Sequence, residues 1–297
     1  MKILVTGGAG NIGEILIPYL RSKGHKVFCI DIKQKFEEGY RTVDINNGAD
    51  IVSAFYEFKP EIVFHMAAMV SRVTCEHSPV TTIKTNVCGT ENVIQLCKQV
   101  GAKLIFFSTS EVYGNLVGNL SEGRRDLRPN NIYGLSKLMA EQLVEYEISN
   151  GLNAVIVRPF MFYHEDESFG DHRSAMIRFV YSLLRHQQIT VHKDSYRSWM
   201  HLDDAIVVLE KLCYLKEFVI INVGNPELYS TQDMARMICK KLELSYKDYV
   251  IETALPEKMT LTKAANFTLQ SILTKYNCSI SLEEGIDRVI KKVKKRL

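Results

Sequence analysis

Tyr133 and Lys137 stand four residues apart in the run Tyr-Gly-Leu-Ser-Lys. That spacing puts both side chains on one face of a helix, one turn apart. A lysine cation beside a phenol favours the phenolate, which turns a group of pKa about 10 into a base usable near neutrality. Upstream, Ser108, Thr109, Ser110 and Glu111 follow the apolar run KLIFF at 103–107. Ligands of open α/β sheets bind beyond the carboxyl ends of strands, so these hydroxyls and this carboxylate are expected to face a cleft. Glu111 offers a second base, suited to a carbon whose hydrogen a neighbouring ketone has acidified.

A third signal begins at Thr6, in Thr-Gly-Gly-Ala-Gly-Asn-Ile-Gly (6–13). Glycines 7, 10 and 13 permit a tight turn and let a pyrophosphate approach the backbone at the positive end of the next helix. The string fits both G-x-x-G-x-x-G and G-x-G-x-x-G, so spacing alone does not name a subfamily. Asp31 ends the second apolar run, where an acid hydrogen-bonds ribose hydroxyls and repels a 2′-phosphate. NAD is therefore expected over NADP, with Lys33 and Lys35 near enough to weaken the repulsion.

The elements that would carry these residues alternate along the first 160 positions. KILVT (2–6), KVFCI (26–30), EIVFH (61–65), KLIFF (103–107) and NAVIV (153–157) read as buried parallel strands. Helical patterns lie between them, including one continuous helix over 81–100 (TTIKTNVCGTENVIQLCKQV) and another from Tyr133. This rhythm predicts an α/β, doubly wound parallel Rossmann sheet with a smaller C-terminal substrate-binding part. The expected boundaries are 1–160 for dinucleotide binding, with 193–223 returning to it, and 161–192 with 224–297 for substrate.

Several classes are excluded or set aside. A formal charge of +3 in 297 residues makes no basic surface of the kind that binds nucleic acid. Seven cysteines with no C-x-x-C pair read as buried free thiols in a reducing compartment. No apolar run is long enough to span a bilayer, and a cytoplasmic location is expected. The basic end RVIKKVKKRL (288–297) is read as complementing a helix dipole in preference to a membrane surface. His164, Glu165, Asp166, Glu167, Asp171 and His172 lack the i, i+4 histidine pair of a zinc helix. They are read as a polar loop at the cleft rim, with no metal expected, and His65 is assigned to its strand end.

Taken together, TGGAGNIG (6–13), Asp31, Asp44-Ile45, HMAA (65–68), Asn86 with GTEN (89–92), STSEVYG (108–114), YGLSK (133–137), RPF (158–160) and RSWMHLDD (197–204) make the chain resemble the extended short-chain dehydrogenases/reductases. Within them it resembles the NAD-dependent nucleotide-sugar epimerase/dehydratase branch, over most of its length. The resemblance implies a cofactor set of Gly7, Gly10, Asn11, Ile12, Gly13, Asp31, Ile32, Asp44, Ile45, Ala67, Ala68, Asn86, Ser108, Tyr133, Lys137, Pro159 and Phe160. It implies catalysis by Thr109, Tyr133 and Lys137 with Ser110 and Glu111, and substrate contacts from Thr109, Met161 and Arg197. Arg197 would take the substrate diphosphate, since a guanidinium fork suits phosphate oxygens. It also implies a homodimer through a bundle of the helices around 82–99 and 133–149.

Two details pull apart. Ser110-Glu111 matches members that dehydrate or decarboxylate, whereas Met161 stands where the family has a substrate-binding Asn. The expected reaction is oxidation of a sugar C4 hydroxyl to a ketone, in a 4,6-dehydratase or epimerase. The alternatives are a net C4 dehydrogenase, a UDP-uronate decarboxylase, and a regulator that senses NAD(H) without turnover.

Overall fold

The computed structural model describes residues 1–116, 118–170, 174–256 and 265–297. Asp171 and His172 of the acidic loop lie outside the described residues. The strands are β1 (Lys2–Thr6), β2 (Lys26–Asp31), β3 (Tyr40–Thr42), β4 (Ile62–His65), β5 (Lys103–Phe107) and β6 (Ala154–Pro159), then β7 (Met161–Tyr163), β8 (Ile189–His192), β9 (Tyr196–His201), β10 (Val219–Val223), β11 (Leu228–Ser230) and β12 (Val250–Thr253). Seven of them form one parallel sheet in the order β10-β6-β5-β4-β1-β2-β3. The order reverses between β1 and β4. At such a switch point two loops diverge from the carboxyl ends and leave a crevice. The doubly wound α/β sheet read from the sequence is the sheet observed.

The helices are α1 (Asn11–Ser22), α2 (Gly48–Phe58), α3 (Arg72–His77), α4 (Pro79–Ile83), α5 (Gly89–Val100), α6 (Ile132–Ile148), α7 (Ala175–Leu184), α8 (Leu202–Leu212), α9 (Thr231–Lys241), α10 (Tyr246–Tyr249), α11 (Thr268–Thr274) and α12 (Leu282–Lys294). The helix expected over 81–100 runs without interruption through α4 and α5 and carries a π-helical turn at Lys84–Cys88 between them. Such a turn inserts one residue into the helical ladder and redirects the side chains it carries. Here it carries Asn86. Within 193–223, α8 packs on α1 and β10 joins the main sheet, whereas β9 pairs with β7 and β11 in a separate three-stranded sheet.

Two apolar cores cover the two faces of the main sheet, one through Leu16, Leu20, Leu209 and Leu212, the other through Phe55, Ile94, Ala140 and Val144. A third core gathers α7, α9 and α12 around Tyr163, Trp199, Ile238 and Val289. Helix α12 enters it by a stripe at Leu282, Ile286, Val289, Ile290 and Val293, the spacing of one helical face. All seven cysteines are free, and Cys88 is exposed where a buried thiol was expected. No helix of the described residues is long and apolar enough to cross a membrane.

A buried ion pair fixes α6 to the sheet. Arg158 of β6 donates to both carboxylate oxygens of Glu141 at 2.9 and 2.7 Å and to the Tyr113 hydroxyl at 3.1 Å. Tyr113 in turn donates to Asn222 at 2.8 Å. Both charged side chains are 1 % exposed, so their hydrogen bonds are needed to offset desolvation.

Candidate active site

One cleft of about 1050 Å³ runs along the carboxyl ends of the sheet. Its lining includes Gly7, Gly10, Asn11, Ile12, Gly13, Asp31, Ile32, Asp44, Ile45, Ala67, Ala68, Pro159 and Phe160 on one side, and Thr109, Ser110, Glu111, Tyr133, Met161 and Arg197 on the other. The structure thus brings nearly every site residue read from the sequence to one cavity. Asn86, Ser108 and Lys137 are buried and do not line it.

The phosphate-binding turn is built by close approach. Gly7 has φ +71, and a Cβ there would lie 2.6 Å from the backbone nitrogen of Ala67. Only glycine allows the loops after β1 and β4 to touch. Helix α1 starts at Gly10 with no side-chain cap. Its first amides are therefore available to an anion, reinforced by the helix dipole. Asp31 accepts from the Ala9 and Lys33 amides at 3.0 and 2.9 Å, which fixes its carboxylate at the end of β2. Of the two lysines that weakened the preference for NAD, Lys35 is paired with Glu14 at 2.9 Å. Lys33 donates to the Ala9 carbonyl at 2.8 Å. An uncapped helix start, a glycine contact that no Cβ could share, and a fixed acid together suit a dinucleotide without a 2′-phosphate.

The wall behind the cleft is a polar network. The Thr6 hydroxyl and His65 Nδ1 are 2.7 Å apart, and Thr6 Oγ1 also accepts from the Ala67 amide at 3.2 Å. His65 Nε2 lies 2.9 Å from Thr90, whose hydroxyl donates to the Asn86 carbonyl. These roles require the proton on Nε2, and the ring is neutral because of its surroundings. Burial, then the nearby Lys137 charge, pushes the His65 pKa down to about 3. Asn86 clamps the β4 loop through the Met69 amide (2.8 Å) and carbonyl (3.0 Å), and donates to Ser136 of α6 at 2.9 Å. Asn86 therefore acts by shaping the loop that carries Ala67 and Ala68.

On the chemical side, Asn131 caps α6 by accepting from the Gly134 amide at 2.8 Å and donates its Nδ2 to Glu111 at 2.8 Å. A Cβ at Gly134 would meet the Glu111 carbonyl oxygen at 2.7 Å, so this glycine lets α6 press against the turn after β5. That contact sets Tyr133 in the cleft beside Thr109, which lowers the phenol's pKa. Lys137 is 2 % exposed, with its ammonium 4.4 Å from the centre of the Phe106 ring.

The electrostatics differ from the simple phenolate picture. Burial, the largest cause, raises the Tyr133 pKa, with Glu111 adding to it and Thr109 opposing. Burial also pushes Lys137 down to about 7, against the attraction of Glu141. Spacing put cation and phenol together, but desolvation disfavours the charged form of each. Burial thus works against the phenolate that the Tyr133–Lys137 spacing would favour.

Around Glu111 the cleft is basic. Arg72 lies 3.8 Å from its carboxylate. Burial lowers Arg197 to about 10, with Glu111 opposing and Arg72 assisting. His192, lowered first by burial, senses Arg197, Arg178 and Arg72 together. Sequence reading missed Arg72, Arg178 and His192, which follow no motif spacing. It also passed over Asn131, although an Asn just before an apolar helix is a capping signal.

The acidic loop is ordered by charge, and among the described residues one group, His164, His201 and Asp203, has possible metal donors within 4.8 Å of one another. Each imidazole accepts a backbone N–H at Nδ1, from Asp166 at 3.0 Å and Asp203 at 3.1 Å. Each Nε2 therefore carries the proton and points at a carboxylate: His201 at Glu165 (2.8 Å) and His164 at Asp203 (3.4 Å). No ring lone pair is left for a metal. The neighbouring Asp204 is also structural, accepting from Tyr276 at 2.6 Å and from the Ile280 amide at 3.0 Å.

The chain is similar over its full length to UDP-glucuronic acid decarboxylase 1 of Xenopus tropicalis, at 28% identity and covering 73% of that protein. It is 31% identical to UDP-glucuronic acid decarboxylase 6 of Arabidopsis thaliana, over 80% of this chain and 73% of that one. Among solved structures, UDP-glucose 4-epimerase of Thermotoga maritima, with UDP-glucose, aligns at a TM-score of 0.92 and 21% identity, covering 100% and 99% of the two chains. MoeE5 in complex with UDP-glucuronic acid and NAD aligns at 0.90 and 22%, covering 100% of each. The NAD dependent epimerase/dehydratase family model matches residues 3–224, and the chain is a member of that family, with NAD as its cofactor.

Proposed function

We propose that the protein oxidises the C4 hydroxyl of a nucleotide-diphosphate sugar to a 4-keto species. The observation that carries this reading is that Thr109 and Tyr133 line the same cleft as the uncapped helix start and Asp31. When bound, NAD supplies the acceptor for the C4 hydride. Tyr133 takes the O4 proton and Thr109 orients O4. Lys137, protonated, offsets the burial that raises the phenol and holds the nicotinamide ribose. Residues 1–160 hold the dinucleotide, while 161–192 and 224–297 hold the sugar nucleotide, with Met161 against the sugar and Arg197 at the diphosphate. The test is incubation with NAD and a panel of UDP-, dTDP- and GDP-sugars, read by mass spectrometry and NADH absorbance. Conversion of one member supports the reading; no conversion and no NADH with any member overturns it.

Decarboxylation of a UDP-uronate is a second reading, favoured by the two guanidiniums beside Glu111. Oxidation at C4 makes a C6 carboxylate β to a ketone, so the C5–C6 electrons pass toward O4 as CO2 leaves. Arg72→Gln is then expected to raise KM for UDP-glucuronate more than for UDP-glucose. A dimer through α5 and α6 fits the exposure of Val80, Leu135 and Tyr146 on and beside those helices. Light scattering reads its mass.

A further inference from the structure

We propose that Glu167 is a positioning residue that retains the dinucleotide, bridging the two walls of the cleft at the phosphate-binding turn and held there by the C-terminal helix. Asn11 is the first residue of α1, directly after the uncapped Gly10. Its Nδ2 donates to Glu167 Oε1 at 3.3 Å. The same carboxylate accepts from the Ser174 amide at 2.9 Å and the Ser174 hydroxyl at 2.5 Å, at the start of α7. Glu167 is only 9 % exposed although its neighbours Asp166 and Ser168 are open to solvent. Its oxygens thus tie the turn that binds phosphate to the opposite, substrate-side wall.

The loop is held from behind by α12. Arg296 donates to the Glu167 carbonyl at 3.0 Å and to the Asp166 carboxylate at 3.1 Å. Lys292 lies 2.5 Å from the same carboxylate, and Arg288 is 3.0 Å from Asp203. Arg288 and Lys292 lie one turn apart on α12, and Arg296 follows in the turn directly after it. The apolar stripe of the helix is sunk in the third core, so α12 acts as a rigid splint for the loop. This assigns the basic C-terminus a partner inside the molecule. A dinucleotide held at this turn would be retained by the Asn11–Glu167 bridge across the cleft, and the bridge would have to open for it to leave. Slow departure serves any reaction that must return its hydride from the same cofactor.

The test measures NADH dissociation by stopped-flow fluorescence, displacing NADH with excess NAD and using no sugar, so it is independent of the substrate reading. Lys292→Gln and Arg296→Gln are each expected to speed dissociation by roughly threefold to fivefold, the upper end of the range for exposed ion pairs. Lys294→Gln removes the same charge from the same helix at an exposed position with no ion pair among the described residues, and is expected to stay within about twofold. Salt gives a second measure without relying on one substitution. Going from about 0.01 to about 1 M shortens the screening length from about 30 to about 3 Å. Wild-type dissociation is expected to accelerate more steeply with salt than that of the Lys292→Gln/Arg296→Gln double variant. Equal rates in all three single variants, or parallel salt dependence in wild type and double variant, overturns the proposal.

Discussion

Replacing Lys137 with Met is expected to stabilise the cofactor-free protein while removing its chemistry. The ammonium is buried against Phe106 and its pKa falls from 10.5 to about 7. Each tenfold change in proton affinity is about 1.4 kcal/mol, so holding this amine costs folding about 4 kcal/mol at pH 7. Below pH 7 the folded and unfolded chains are both protonated and the cost is complete. Between about 7 and 10.5 the unfolded chain binds more protons than the folded one, so stability rises with pH, and above that range the cost is gone. Met keeps the length of the side chain and carries no charge, so it escapes this cost. The expected gain is up to about 4 kcal/mol at pH 7, falling to about half of that near pH 9. Urea unfolding of the cofactor-free protein at pH 7, 8 and 9 measures it. A Met variant less stable than wild type at pH 7, or a difference that does not change with pH, refutes the reasoning.

Tyr133→Phe leaves α6 and Thr109 in place and is expected to abolish NADH formation while calorimetry still finds dinucleotide binding. Asp31→Ala is expected to narrow the preference for NAD over NADP, and equal affinities in the wild type would overturn the role of that carboxylate. Glu141→Gln strands the Arg158 charge at 1 % exposure and is expected to cost about 3–5 kcal/mol in denaturant unfolding. Replacing the pair together, Glu141→Leu with Arg158→Met, is expected to recover most of that loss.

What the sequence disclosed is what short-range spacing encodes. The glycine turn, the acid ending β2 and the Tyr-x-x-x-Lys pair each need only a strand–turn–helix or a single helical turn to become geometry. The π turn at Lys84–Cys88 was hidden because its apolar pattern reads as continuous helix. It exists to aim Asn86 at the Met69 backbone and at Ser136, partners that lie 17 and 50 residues away. Arg72 was invisible for a similar reason, since nothing local marks a residue whose meaning is its distance from Glu111. The basic C-terminus was read through its own helix dipole, while its partners Asp166 and Asp203 lie more than 80 residues upstream.

The Tyr133–Lys137 pair shows why spacing and electrostatics need separate arguments. Spacing decides which groups meet; burial decides which protonation states they hold when they meet. The same low-dielectric wall that hides Lys137 behind Phe106 disfavours both phenolate and ammonium. A proton placed between the two therefore remains on oxygen until something adds positive charge or hydrogen bonds at the cleft face. Thr109 already acts in that direction. With Lys137 poised near pH 7, a modest change in its surroundings is enough to charge it. Burial thus disfavours the Tyr133 phenolate while the site is empty. Such an arrangement keeps a strong base from being exposed to water before there is a substrate to deprotonate.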